Sequence, residues 1–405
     1  MNIHRGFYST LACIFMLLSI TTQTLYAESL PSRNIASPPA MNKHPVITPT
    51  PPTINAKAYI LIDVDSGKVI AEKNSELRLP PASLTKLMTL YVVSQSLKSG
   101  QIHLTDPVHI SQKAWKTGGS RMFIREGQDV PVEELLKGVI VDSGNDACVA
   151  LAEHIGSSES TFTGLMNQQA KNLKMDHSNF TDSTGLPHDE LYTTGKDLAI
   201  LGRALIRDFP EYYHWYKQKW FTYNNIRQPN RNRLLWRDNT VDGMKTGHTD
   251  KAGYCLVSSA KRGDMRLLAV VLNAPTDSAR ADDSQRLLNY GFRFFETHQL
   301  FHPGQAVTVL PLYKSTLSSI RLGVLNENYV TVPSGQYQHL SIVTNVPGYI
   351  EAPVKKGQQI GELMIKFDNK TLETQPLYAL EDAAQAGFFT RVKDSIRLLF
   401  HRWFG

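Results

Sequence analysis

The sequence predicts an α/β domain, an antiparallel sheet with helices packed on it, followed by a C-terminal all-β domain and an amphipathic tail helix. Three observations carry this expectation. β-like segments stand at both ends of residues 56–297 with helical periodicity between them, the order of a sheet built from both ends of a domain. Helical spacing then disappears over 298–379, where short β-like runs at 329–332, 340–346 and 359–365 are separated by Gly and Pro. Apolar residues return at three- and four-residue spacings within the last segment, 380–405.

The elements follow in order. His4 and Arg5 precede an apolar run at 11–20, and Ala27 suits a cleavage site, so 1–27 reads as an export signal. The run is shorter than the ~20 residues of a spanning helix. Seven prolines lie between Pro31 and Pro52, and 28–55 reads as an extended, disordered linker. A hairpin is predicted from strands at 59–63 and 68–71 around Asp65, Ser66 and Gly67. Pro80 and Pro81 suit a helix entry. Leu84, Leu87, Met88, Tyr91 and Val92 give that helix an apolar face, and Gly100 ends it. Helical spacing recurs at 132–141, 147–155, 162–173 and 196–206. After Gly243 come strands at 254–260 and 266–272 around a turn, then a helix at 283–296 with Leu287, Leu288, Phe292 and Phe295 on one side.

Composition is that of an ordinary globular protein, 41% hydrophobic and 20% charged over 405 residues. The formal charge of +6 is modest and dispersed. It gives no sign of nucleic-acid binding and is compatible with an anionic polymer or a membrane surface. Loss of 1–27 removes Cys13 and leaves Cys148 and Cys255, which read as buried free thiols. His298 and His302 have a ligand spacing but no third ligand near them, and no glycine loop for phosphate is present. Neither a metal nor a cofactor is expected.

Three short motifs occur in order: Ser83-Leu84-Thr85-Lys86, Ser143-Gly144-Asn145 and Lys245-Thr246-Gly247. Each recurs elsewhere, at Ser258–Lys261, Ser32–Asn34 and Lys116–Gly118, so context must select. Ser83 opens a predicted amphipathic helix on which Lys86, three residues on, shares its face. A neutral lysine there can take the proton that a serine hydroxyl must lose to become a nucleophile. Ser258 lies on a predicted strand, where residues three apart face opposite sides. Ser32 falls in the linker, and no strand follows Lys116. Lys245 precedes the strand at 254–260 and suits a sheet edge beside a cleft.

This order of motifs, with Ser143-Gly144-Asn145-Asp146-Ala147-Cys148, the run 230–236, the run 241–254, the run 291–297 and the terminal His401-Arg402-Trp403-Phe404-Gly405, resembles the D-alanyl-D-alanine carboxypeptidases of the penicillin-binding-protein-5 type. The likeness covers the chain after Ala56. It implies a β-lactamase/transpeptidase-like α/β fold. It further implies removal of the terminal D-Ala from peptidoglycan pentapeptide stems through an acyl-enzyme on Ser83, and acylation of the same serine by β-lactams. Lys86 would accept the Ser83 proton. Ser143, Asn145 and Lys245 would relay protons and hold the substrate within one hydrogen-bonded network. The backbone N–H groups of Ser83 and His248 would stabilise the oxyanion. Thr246, next to Gly247 in the third motif, and Arg231 would bind the terminal carboxylate. Taken alone, Arg231 also reads as a surface member of a basic run with Arg227, Arg233 and Arg237. The glutamate string that activates the deacylating water in class A β-lactamases is absent between Ser143 and Lys245, so fast β-lactam hydrolysis is not expected. Thr184 stands where the family often has a histidine.

Phe388, Val392, Ile396, Leu399, Phe400 and Trp403 form one face of the tail, and Arg391, Lys393, Arg397 and Arg402 outnumber Asp394. Such a helix suits an interface rather than a span. Residues 386–404 are therefore expected on the phospholipid surface of the inner membrane, peripheral and on the periplasmic face, although a helix packed on the protein's own body has the same stripe. Rival functions are an endopeptidase that cuts cross-links, a β-lactam or muropeptide sensor, and a shape-determining scaffold.

Overall fold

The structure, a computed structural model, describes residues 48–404 and their side chains as far as 400. The export signal at 1–27, most of the linker, Ser32 and the Arg402 and Trp403 side chains lie outside the described residues.

Five antiparallel strands make the central sheet: β1 (Ala58–Asp63), β2 (Val69–Lys73), β3 (Val241–Thr249), β4 (Gly253–Arg262) and β5 (Met265–Ala274), in the order β2-β1-β5-β4-β3. The near-continuous apolar runs of β1 and β5 follow from burial on both faces. Tyr59, Leu61, Leu267, Ala269 and Val271 join one core. Ile60, Ile62, Leu268, Val270 and Leu272, one residue out of phase, join the other. The first core is closed by Leu287 and Leu288 of a long helix, Asp277–Phe294, and the second by the helical middle of the chain.

That middle contains α1 (Lys86–Lys98), α2 (Asn145–Gly156), α3 (Glu159–Asn172) and α4 (Gly195–Asp208), with the long helix Asp277–Phe294 as α5. The expected amphipathic character of α1 is not found. Every residue of it except Gln95 and Lys98 is buried, because it lies between the sheet and the other helices. The segment expected as a helix over 132–141 is helical at Val132–Lys137 and then widens into a π turn at Gly138–Asp142. The helix expected at 283–296 begins at Asp277, where the Thr276 side chain accepts from the Ala279 N–H. Its polar first turns carry no apolar stripe to reveal them. It ends at Phe294, and Phe295 already belongs to a strand, Phe295–Phe301, paired with Asn328–Pro333.

The linker's final residues are ordered against the body. Ile54 is buried, the Tyr290 hydroxyl donates to the Pro49 carbonyl at 2.8 Å, and the Asn55 and Ala56 N–H groups donate to Asp283 Oδ2. The apolar Ile54 and a buried carboxylate needing donors hold this stretch, which the prolines alone do not reveal.

Beyond Phe295 the chain is β-rich. A six-stranded sheet has Leu340–Asn345 at one edge and the short strand Ile350–Glu351 at the other, and Ile320, Leu322, Leu363 and Leu377 fill its core. A part-buried polar knot ties it to the first domain: Thr297 Oγ1 donates to Asp63 Oδ2 at 2.8 Å, and Thr331 Oγ1 lies 2.6 Å from Ser66 Oγ and 2.8 Å from Thr297 Oγ1. The tail is α6 (Phe388–Phe404). Its Asp394 accepts from the Lys314 N–H at 2.6 Å and its Leu398 is buried, while Phe388, Phe389, Val392, Ile396, Leu399 and Phe400 are exposed. Among the described residues no helix is long and apolar enough to cross a membrane.

Candidate active site

Ser83 lies in a tight 3-10 turn, Ala82–Thr85, that feeds directly into α1. Ala82 just before it has φ +47°, a left-handed conformation that a residue with a Cβ rarely adopts. Such strain persists only where packing imposes it. Two glycines impose it here. Any side chain at Gly185 would overlap the Ala82 carbonyl, and one at Gly247 on β3 would come 2.7 Å from the Pro81 carbonyl oxygen. The turn is thus gripped between the loop 182–186 and the third sequence motif.

Lys86 donates from Nζ to Ser83 Oγ at 3.0 Å and to the Thr184 carbonyl at 2.7 Å, and its residue is wholly buried. The loop that supplies this carbonyl is fixed by Asp182, which accepts from the N–H groups of Thr184 and Gly185, and by Thr89 Oγ1, which donates to the Ser183 carbonyl. Burial disfavours the Lys86 ammonium and lowers its pKa. Arg231 pushes the same way, while Cys148, Asp182 and Asp146 oppose. Lys245 on the edge strand β3 is also buried, and its pKa lies well below the usual lysine range, first through burial and then through repulsion from Lys86 and Arg231. Repulsion between two cations is mutual, so the two amines form one coupled site that gives up its first proton readily.

Ser143 and Asn145 stand on the neighbouring wall. Ser143 ends the π turn at φ +61°, is 1% exposed, and its Oγ has no hydrogen-bond partner. Asn145 Nδ2 donates to the Gly118 carbonyl at 2.7 Å, its N–H donates to the Ser120 carbonyl, and its Oδ1 is unpartnered. Buried polar groups without partners are costly. Ser143 Oγ and Asn145 Oδ1 are two such groups, two residues apart in the chain. Cys148, one turn along α2, is a buried thiol whose pKa is pushed up to about 12, chiefly by burial.

The cleft's far side holds Thr246, buried on β3, and His248. The His248 ring lies tilted against that of Tyr254, with centroids 4.0 Å apart. Arg231 keeps an exposed face while its guanidinium leans toward Asp142, whose charge raises its pKa against the lowering effect of burial. Asp142 is 2% exposed, and burial, with Asp146 beside it, raises its carboxyl to about 7 against the pull of Arg231 and Lys245.

The motif repeats set aside in the sequence differ in fate. Ser258 is buried in β4 and Lys261 is exposed, so they do not meet. Lys116 is exposed on a short helix, yet the loop after it frames the site through Gly118 and Ser120. Gly119 permits that approach, since a Cβ there would come 2.5 Å from Asn145 Nδ2. Sequence reasoning also missed two buried supports. Asp146 accepts from the N–H groups of Met122, Phe123 and Ile124 and so pins that loop to α2. Arg280 of α5 donates to the Gly247 carbonyl at 3.0 Å and to the Cys255 carbonyl at 3.3 Å, and pairs with Asp277.

A serine backed by a buried lysine on a helix, a Ser-Gly-Asn wall and a Lys-Thr-Gly edge strand define a penicillin-recognising serine hydrolase fold. The chain belongs to the D-alanyl-D-alanine carboxypeptidase family, which it matches over residues 45–276, and residues 295–385 match the penicillin-binding protein 5 C-terminal domain. It is 47% identical to the D-alanyl-D-alanine carboxypeptidase DacC of Escherichia coli K12 over 87% of this chain and 90% of that protein. Penicillin binding protein 5 from Haemophilus influenzae superposes with a TM-score of 0.80 at 41% identity, covering 83% of this chain and all of that one. Penicillin-binding protein D2 from Listeria monocytogenes, solved in an ampicillin-bound form, matches with a TM-score of 0.56 at 29% identity, over 60% of this chain and 100% of that one.

Proposed function

We propose that the protein is a serine D-Ala-D-Ala carboxypeptidase that removes the terminal D-Ala from peptidoglycan pentapeptide stems. The observation that carries this reading is the 3.0 Å hydrogen bond from a wholly buried Lys86 to Ser83 Oγ. Ser83 Oγ attacks the carbonyl carbon of the penultimate D-Ala while Lys86, neutral, takes its proton. The oxyanion is met by the N–H groups of Ser83 and His248. The C–N bond then breaks, the proton passes to the leaving nitrogen through Lys86 and Ser143, and D-Ala departs. Water hydrolyses the ester and restores Ser83. Asn145 and Lys245 hold the peptide, and Thr246 and Arg231 receive its terminal carboxylate, with Gly247 keeping the strand close. β-Lactams acylate the same serine, in keeping with the relative solved in an ampicillin-bound form.

The proposal extends to organisation and place. Residues 56–297 act as the catalytic domain, 298–379 as a spacer and 380–405 as an anchor behind an export signal at 1–27. Residues 386–404 lie on the phospholipid surface of the inner membrane at its periplasmic face. The exposed Phe389, Ile396, Leu399 and Phe400 favour this over a tail packed wholly on the body.

Product analysis tests the reaction. Free D-Ala from a pentapeptide, with a cross-linked dimer left intact, supports carboxypeptidase action, whereas cleavage of the dimer alone favours an endopeptidase. Penicillin should add one mass adduct that Ser83→Ala abolishes; an adduct persisting in that variant overturns the assignment.

A further inference from the structure

Two segments beside the cleft, 112–125 and 212–237, contain ten lysines and arginines and no acid. Four of these cations meet carboxylates from elsewhere: Lys113 with Glu159, Arg121 with Asp146, Arg233 with Asp277 and Arg237 with Asp282. Lys116, Arg125, Lys217, Lys219, Arg227 and Arg231 are exposed and make no ion pair among the described residues. The chain's formal charge is only +6, so this rim concentrates an excess as large as that of the whole molecule.

Large aromatic surfaces are exposed on the same rim. Trp115, Phe123, Trp220 and Trp236 are each 37–43% accessible. The Arg227 guanidinium sits 4.4 Å above the Trp220 ring, and Trp236 meets Trp220 edge-on at 6.1 Å. Phe123 is held at φ +71°, a conformation that is a genuine outlier for a bulky side chain, and yet its ring gains little burial. The buried Asp146 carboxylate, accepting from the Phe123 N–H, holds this backbone and leaves the ring on the surface.

The rim is continuous with the cleft. Asn145 bonds the Gly118 and Ser120 carbonyls, and the hairpin Trp220–Tyr223 with Ile226–Pro229 holds the same loop through Gln228 Nε2 to the Arg121 carbonyl and Asn224 Nδ2 to the Phe123 carbonyl. The hairpin then runs through Asn230 into Arg231. A recess of about 240 Å³ lies between Trp115, Phe123, Asn224 and Ile226.

We propose that this rim is a second binding surface for the substrate, one that takes the carboxylate-bearing glycopeptide strand beyond the scissile D-Ala-D-Ala. The inference rests on the carboxypeptidase reading. Sugar rings stack on exposed indole and phenyl surfaces, and stem carboxylates meet Arg125 and Arg227. An anionic lipid surface shares the negative charge, but the exposed apolar face of α6 already offers a site for lipid, and this rim abuts the catalytic cleft.

The test uses the full chain and the variants R125E, R227E and W220A, none of which touches the reacting groups. D-Ala release is measured from a short acyl-D-Ala-D-Ala peptide whose sole charge is its terminal carboxylate, and from isolated sacculi carrying pentapeptide stems. Each is run at about 50 mM and about 500 mM salt, where screening lengths differ roughly threefold. R125E and R227E should lower the rate on sacculi by about fivefold or more at low salt, with the gap closing at high salt. W220A should lower it at both. Rates on the short peptide and penicillin acylation should stay within about twofold, as expected for distant sites. Unchanged rates on sacculi overturn the proposal, as do equal losses on both substrates. Loss of binding to phosphatidylglycerol vesicles with sacculi unaffected assigns the rim to lipid instead. A wild-type chain that releases no D-Ala from the short peptide defeats the carboxypeptidase reading, while co-sedimentation with sacculi still judges the rim.

Discussion

Gly247→Ala tests the close approach of β3 to the turn that carries Ser83. The added methyl would lie 2.7 Å from the Pro81 carbonyl oxygen and 3.3 Å from Leu84 N and Cγ. Two of these are backbone atoms of the nucleophile's own turn and cannot swing aside. An ordinary contact begins near 3.4 Å, so strand and turn must part by about 0.7 Å. The His248 N–H, on the next residue, moves by a similar amount from the place where the oxyanion forms. Loss of one oxyanion donor costs roughly 10²–10³ in rate, and misplacement by ~1 Å about 10². Acylation by penicillin should therefore slow by about 30- to 100-fold. β3 is an edge strand, so the fold should survive with a loss of a few degrees in Tm, about the effect of 1–2 kcal/mol in a chain of this size. The assay is the second-order rate of labelling by a fluorescent penicillin, with thermal unfolding measured on the same sample. A folded variant that acylates at the wild-type rate refutes the idea that this contact places the donor.

Other outcomes are expected. Burial holds Lys86 and Lys245 below the ordinary lysine pKa, so acylation should rise from neutral to mildly alkaline pH as the coupled pair loses a proton; a flat profile in folded protein contradicts a lysine base. Asp142 holds its proton to about pH 7 when folded, whereas an unfolded carboxyl gives it up near ~4. The group thus costs nothing below about pH 4 and opposes folding increasingly up to about pH 7, so Asp142→Asn should stabilise the protein at pH 8 by on the order of 4 kcal/mol and hardly at all near pH 4, as read by thermal unfolding. Removing residues 386–405 should leave an active enzyme in the soluble fraction. Membrane retention or unfolding of the truncated chain would show that α6 serves the body instead.

Local pattern explains which features could be read from sequence. Ser83 and Lys86 were legible because three residues of helix suffice to bring them together, and 59–63 and 266–272 because burial on both faces leaves unbroken apolar runs. β3 was legible only as a sheet edge at Lys245, since Val241–Thr249 contains two glycines, a lysine and two threonines and owes its extended form to pairing with β4. The support of the site is equally non-local. Arg280 reaches Gly247 across 33 positions and Lys86 finds the Thr184 carbonyl across 98. No periodicity encodes such distances. The Gly118–Ser120 loop looked like a failed motif because a glycine's purpose, here to let Asn145 approach, shows only when the neighbour is in place.

The attachment of α6 has a mechanical meaning. Asp394 accepts from the Lys314 N–H, Ala386 N–H donates to the Lys314 carbonyl, and Ser315 Oγ donates to the Ala384 carbonyl, so the helix is bracketed to the segment that follows the strand Ala306–Tyr313. The hydroxyl cluster at Asp63, Thr297 and Thr331 in turn ties the β-rich domain to the first domain. On a lipid surface, adsorption of α6 would then set the altitude and tilt of the active site. The enzyme would sweep a plane at fixed height through the wall, drifting sideways with its lipids and reaching only those stems that hang within that single stratum.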